Sequence, residues 1–340
     1  MRIRIMAWGV VGFALPLAVE AQRGGIGGVR GAGGLGLNDT VPPPAWADSL
    51  DSALRQQKPV LLYVCPTLEG EDDLPGAFRN PEVSRLSRDA AVFVRLPYKA
   101  TDPVIQERKI AGAPCLLGLD WHGNEWHRTA GVSQGAVKEF VRLIPEEVQR
   151  YEEALTRLLA QAKAREEKED VRGALVAYKK IAQEKRVGFE AIPAARERLK
   201  TLGEKAIADA LALAADPAKE KEGIQTLTGI SRDLDGTPVG SLARLVLLKH
   251  KIEEARDLRS RVPEIQKLAR MTGEGYDEVV EGAKSLLELI DGYGQARIED
   301  ALRKSSRGLA AEAKAQLKQI QSDFPGLKSA DRAKEELAKL

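Results

Sequence analysis

Two apolar runs, each introduced by a proline, constrain this chain most. Lys58-Pro59 leads into Val60-Leu61-Leu62-Tyr63-Val64, and Gly112-Ala113-Pro114 leads into Cys115-Leu116-Leu117. Runs this short and this apolar, bounded by turn formers, read as strands. The neighbouring segments alternate helix and strand. Trp46, Leu50, Ala53 and Leu54 fall on one helical face, 91–96 reads as another strand, and 103–110 as a helix. Asp120-Trp121-His122-Gly123 reads as a hairpin turn, with glycine supplying the positive φ. A strand over 125–129 returns from it, and Ser133 caps a helix bearing Val137, Phe140, Val141 and Ile144. The expected class is α/β.

From Pro145 onward no strand pattern occurs. Val148, Tyr151, Leu155, Leu158, Leu159 and Ala162 form an apolar stripe on a long helix, with Glu166 to Glu169 in water. Further helices are expected over 171–185, 193–214, 221–233, 239–259, 276–290, 308–322 and 328–340. Ala174-Leu175, Tyr178 and Ile181, followed by Pro193 and Leu199, match Ala313, Leu317 and Ile320, followed by Phe324-Pro325 and Leu337. Ile224, Leu227 and Ile230, followed by Pro238 and Leu242-Ala243, make a weaker third copy. Such recurrence describes helical hairpins that bury their stripes against one another.

The N-terminus has the layout of an export signal. Arg2 and Arg4 precede an apolar stretch from Ile5 to Val19, and Val19-Glu20-Ala21 offers small residues for cleavage after Ala21. That stretch is shorter than the ~20 residues a membrane span requires, which favours a cleaved signal over a retained anchor, and nothing later is apolar enough to span, so no span is expected in the mature chain. Residues 22–45, rich in glycine and ending in Pro42-Pro43-Pro44, read as a flexible tether. The expected organisation is a signal peptide over 1–21, the tether over 22–45, the α/β domain over 46–144 and a helical region over 145–340. The net charge of +2 falls to +1 on losing Arg2, Arg4 and Glu20, which argues against a nucleic-acid partner.

The order helix–strand–helix–strand–helix–strand–strand–helix, with Lys58-Pro59, Ala113-Pro114 and the Asp120–Gly123 turn, resembles the thioredoxin-like family. The resemblance implies a central mixed sheet flanked by helices, a cis-proline at Pro114 and a reactive Cys-x-x-Cys pair near Glu69 and Asp72. The sequence there is Leu68-Glu69-Gly70-Glu71-Asp72-Asp73, with no cysteine. A carboxylate suits a helix N-terminus but cannot attack a disulfide, so ordinary dithiol exchange is not expected. The helical region is similar to degenerate tetratricopeptide-like hairpins.

The two cysteines, Cys65 and Cys115, are the remaining candidate thiols. The resemblance places them on neighbouring antiparallel strands, which leaves three readings open: a structural disulfide, two inert buried thiols, or redox chemistry. Glu69, Glu71, Asp72 and Asp73 lack calcium-loop spacing and read as a solvated helix start. His122, Trp121, Trp126 and His127 cluster on the hairpin; two histidines without a third ligand do not make a metal site, and His250 lies in the helical region. The tryptophans suit either packing or a binding surface. No cofactor or metal is expected. The expected function is an exported, non-catalytic protein whose helical region holds a protein partner. The alternatives are a divergent thiol-disulfide oxidoreductase using Cys65, Cys115 or both, and a mainly structural assembly component. Oligomeric state stays open.

Overall fold

The computed structural model describes residues 43–66, 75–253 and 258–340. The signal peptide, all of the tether but its last residues, and the acidic loop over 68–73 lie outside the described residues. The first part is an α/β unit: β1 (Trp46–Ala47), α1 (Leu50–Leu54), β2 (Val60–Cys65), a 3-10 turn (Gly76–Arg79), α2 (Pro81–Asp89), β3 (Val92–Pro97), α3 (Pro103–Glu107), β4 (Cys115–Leu119) and β5 (Glu125–Ala130). The strands form one mixed sheet in the order β1-β3-β2-β4-β5. The three on the β1 side are parallel, and β4 pairs antiparallel with both β2 and β5. Trp46, expected in the first helix, lies instead in β1, where its indole sits 5.1 Å from the Phe78 ring and 5.9 Å from Phe93. Burying a large ring against two others outweighs the weak helical preference of so short a segment.

Each face of the sheet has its own core. Leu61, Tyr63, Phe93 and Leu116 pack with Val137, Phe140, Val141 and Ile144 of α4 (Gln134–Glu167). Val60, Leu62, Val64, Leu117 and Leu119 pack with Ala53, Ile105 and Ile110 on the other side. Gly118 admits α4 closely: a Cβ there would meet Ile144 Cδ1 at 2.8 Å.

The helices expected on either side of Pro145 are one. α4 opens at Ser133, whose side chain accepts from Ala136 N, and runs through Pro145. The ring removes an N–H that would bond to Val141 O, but Ile144 and Val148 beside it are both buried, and that packing keeps the helix intact. Leu158 is 43% exposed and so falls off the buried stripe. Glu166, expected in water, accepts from the Tyr178 hydroxyl at 2.9 Å.

After α4 come α5 (Val171–Ala182), α6 (Ala191–Ala215), α7 (Glu220–Asp233), α8 (Pro238–Glu253), α9 (Leu258–Leu268), α10 (Asp277–Ser306), α11 (Ala310–Asp323) and α12 (Lys328–Lys339). Consecutive helices pack in turn, and the even-numbered ones also pack along the series from α4 to α12. Three of the shorter helices bury the same pattern: Ala174/Tyr178/Ile181, Gly223/Leu227/Ile230 and Ala313/Leu317/Ile320. The small residue heading the second copy is Gly223, not Ile224. A Cβ on Gly223 would lie 2.5 Å from Ala210 O and 2.4 Å from Ala214 N, so the backbones of α6 and α7 meet there. The last two copies also share a turn. Leu234 N donates to Ile230 O and Phe324 N to Ile320 O, with Gly236 and Gly326 both at positive φ.

Helix ends differ from expectation by a few residues in several places, and two differences are larger. The sequence reading has no separate α9, which contains Pro263. It also stops α10 at residue 290, whereas the helix continues through Gly292 and Gly294 to Ser306. Glycine is a poor helix former, yet α12 needs it here: a Cβ on Gly294 would meet Ser329 Oγ at 2.4 Å.

Candidate functional site

At the end of β2 the chain brings Cys65 beside Pro97 of β3 and, by continuation of the antiparallel register, across from Pro114. The Ala113–Pro114 peptide bond is cis. Tyr98 N donates to Cys65 O at 2.8 Å, and Gly131 N donates to Pro114 O at 2.9 Å. This end of the sheet is where the chain leaves toward residues 67–74.

The two cysteines do not share a site. Val64 is the residue directly opposite Cys115, so Cys115 shares its face of the sheet. Strand alternation puts Cys65 on the other face. Core membership agrees: Cys65 belongs with Tyr63 and Phe93, and Cys115 with Val64 and Leu117. Both are free thiols, 2% and 7% exposed respectively. The Cys65 thiol donates to Leu96 O at 3.4 Å. Burial pushes the Cys115 thiol up, against a smaller opposing pull from Arg128. A raised thiol pKa lowers the thiolate fraction, and the thiolate is the nucleophile.

The aromatic hairpin is an internal joint. Asp120, fully buried, accepts from His122 N, Asn124 N, Asn124 Nδ2 and Trp126 Nε1, all at 2.8–2.9 Å. Asn124 then makes a reciprocal pair with the α5–α6 loop: its Nδ2 donates to Val187 O at 3.0 Å, and Val187 N donates to its Oδ1 at 2.8 Å. The Arg186 guanidinium stands over both Trp126 (4.1 Å) and Tyr151 (4.6 Å), while Tyr151 donates to Glu184 at 2.8 Å. Gly188, at φ 87°, passes so close to His122 that a Cβ would lie 2.1 Å from the ring. Sequence reading saw the tryptophans and histidines but missed Asn124, Arg186 and Gly188. Their partners lie some sixty positions away, and no local pattern signals such a contact.

The histidines are therefore dispersed into separate contacts. His127 stacks on Phe140 and faces Glu147 Oε2 at 2.9 Å, and His250 faces Glu220 at 3.3 Å. Among the described residues no three His, Cys, Asp or Glu side chains converge as a metal would require.

Two depressions open among the helices. One, about 320 Å³, lies between α5 and α7, with Leu175, Val176, Gly229 and Ile230 in its wall and the Arg172–Asp233 pair at its edge. The other, about 710 Å³, runs past α6, the α7–α8 turn and the start of α10. No helix among the described residues is long and apolar enough to cross a membrane. No family model matches the chain, and no curated protein matches it.

Proposed function

We propose that this chain is an exported, non-catalytic thioredoxin-like protein whose tetratricopeptide-like helical hairpins hold a protein partner. The observation that carries the non-catalytic reading is the placement of Cys65 and Cys115, buried on opposite faces of the sheet. Two thiols so placed cannot exchange electrons as a dithiol couple, because a bridge requires converging Cβ directions and the strand register sends theirs to opposite sides of the sheet. The sequence adds no other cysteine. Support for the thioredoxin-like ancestry comes from the strand order β1-β3-β2-β4-β5 together with Pro114 beside the end of β2. Support for partner binding comes from the repeated buried pattern of α5, α7 and α11 and from the two depressions among the helices.

An insulin-reduction assay on the native chain is expected to give no turnover above dithiothreitol alone. Turnover that disappears in the Cys65→Ser/Cys115→Ser variant would overturn the reading in favour of a thiol enzyme. Export is tested on the same preparation. Sequencing the N-terminus of the fractionated protein should begin at Gln22, and a retained Met1 would contradict it.

A further inference from the structure

Resting on the helical region as the partner-binding part, we infer that the larger depression is a docking groove for an extended peptide carrying lysine or arginine between apolar residues. Its floor is apolar: Leu199, Val239 and Val279, contributed by three different helices, are nearly fully buried and face one channel of about 710 Å³. That volume falls within the roughly 300–1,000 Å³ of ordinary ligand sites. Its charge is one-sided. The lining holds five carboxylates, on Glu197, Glu204, Glu274, Asp277 and Glu278, against two cations, Arg196 and Lys200.

Both cations are already engaged within the chain. Arg196 reaches Glu274 at 3.8 Å and Lys200 reaches Glu204 at 3.9 Å. Glu197, Asp277 and Glu278 make no ion pair among the described residues. The surplus is negative, and Asp235 adds to it from the α7–α8 turn. After burial, its carboxylate is the next cause that holds the Tyr276 phenol above its usual range. An acidic rim above an apolar floor attracts a cationic side chain and rejects an acidic one, while the floor takes the aliphatic neighbours. This groove shares no lining residue with the α5–α7 slot, so the two can be tested separately.

The test is selection of a random peptide display library on the full chain, with fluorescence anisotropy on the enriched peptides. Lysine- or arginine-containing peptides are expected. Their affinity should fall roughly tenfold or more in Glu197→Lys/Glu278→Lys, as charge reversal at a complementary interface does. A Gln225→Arg change in the α5–α7 slot should leave affinity unaltered, and all variants should keep the wild-type melting curve. Enriched peptides that are acidic or uncharged, or that bind the double variant unchanged, overturn the groove. If those same peptides respond to Gln225→Arg, the groove falls while the partner-binding reading stands. If no peptide enriches, the groove and that reading fall together.

Discussion

Asp120 illustrates what one buried carboxylate does when every lone pair is used. It is wholly enclosed, yet its four acceptor contacts hold the β4–β5 turn, the Trp126 indole and, through Asn124, a loop far along the chain. Asp120→Asn keeps the volume but replaces one acceptor oxygen by an NH2 facing other donors. We expect it to cost about 3 kcal/mol, the scale for losing charged hydrogen bonds and orphaning a buried donor. The check is urea unfolding followed by tryptophan fluorescence, and a change under 1 kcal/mol would contradict it. Tyr178 makes a second prediction, in pH. Burial first, and the Glu166 hydrogen bond second, push its phenol up to about 12 from 10.0. Below pH 10 both folded and unfolded chains keep the proton, so stability does not change on this account. Between pH 10 and 12 the unfolded chain alone loses it, and stability falls. Tyr178→Phe should lower stability at pH 8 by about 1 kcal/mol, the usual net worth of one hydrogen bond. It should also flatten the decline between pH 10 and 12; an unchanged alkaline slope would exclude Tyr178 as its source.

At the scale of elements, the repeated helices rest on small residues placed where backbones meet. Gly223 is the sharpest case, because the atoms its Cβ would strike are backbone atoms of α6, which cannot rotate away. Gly223→Ala is therefore expected to destabilise by about 1–3 kcal/mol, as overpacking does, despite alanine's better helix propensity. Gly229→Ala serves as the internal control. Nothing lies within 4 Å of its Cβ position, so propensity alone should act and the protein should gain up to about 1 kcal/mol. Calorimetric melting of the pair separates the two effects, and a stabilised Gly223→Ala would refute the close approach. The same logic explains where the sequence reading of elements failed. α10 runs past its expected end at residue 290, and only the neighbouring Ser329 reveals why the helix keeps glycine at Gly294.

For the whole molecule, the core leaves no seam at residue 145. A single cluster runs from Leu61 and Phe93 in the sheet, through Ile144 and Val148 of α4, to Tyr178, Leu199 and Val239. α8 then joins this cluster to the next: Val239, Ala243 and Leu247 lie in one, Leu245, Leu248 and Ile252 in the other. The residue 46–144 segment, expressed alone, would expose the α4 face that Val148 continues and lose the Asn124–Val187 joint. It should show no cooperative urea transition, whereas the full chain should show one that includes the tryptophans on the hairpin. A sharp transition in that segment by itself would mean the joint contributes little to its stability.

The sequence alone determined what is local. Strand positions to within a residue at β2, β3, β4 and β5, the Ser133 cap, the Gly123 turn and the recurrence of Ala174/Tyr178/Ile181 in Ala313/Leu317/Ile320 follow from periodicity and turn chemistry, which act over a few residues. Tertiary structure decided what depends on distant partners. It put Cys65 and Cys115 on opposite faces, because register, not composition, assigns a side chain to one side of a sheet. It turned the Trp–His hairpin into a joint by bringing residues 184–189 against it, and it gathered acids from α6, α9–α10 and α10 around one groove. Each of these juxtapositions is fixed by packing between elements whose separation in the chain carries no information about their separation in space.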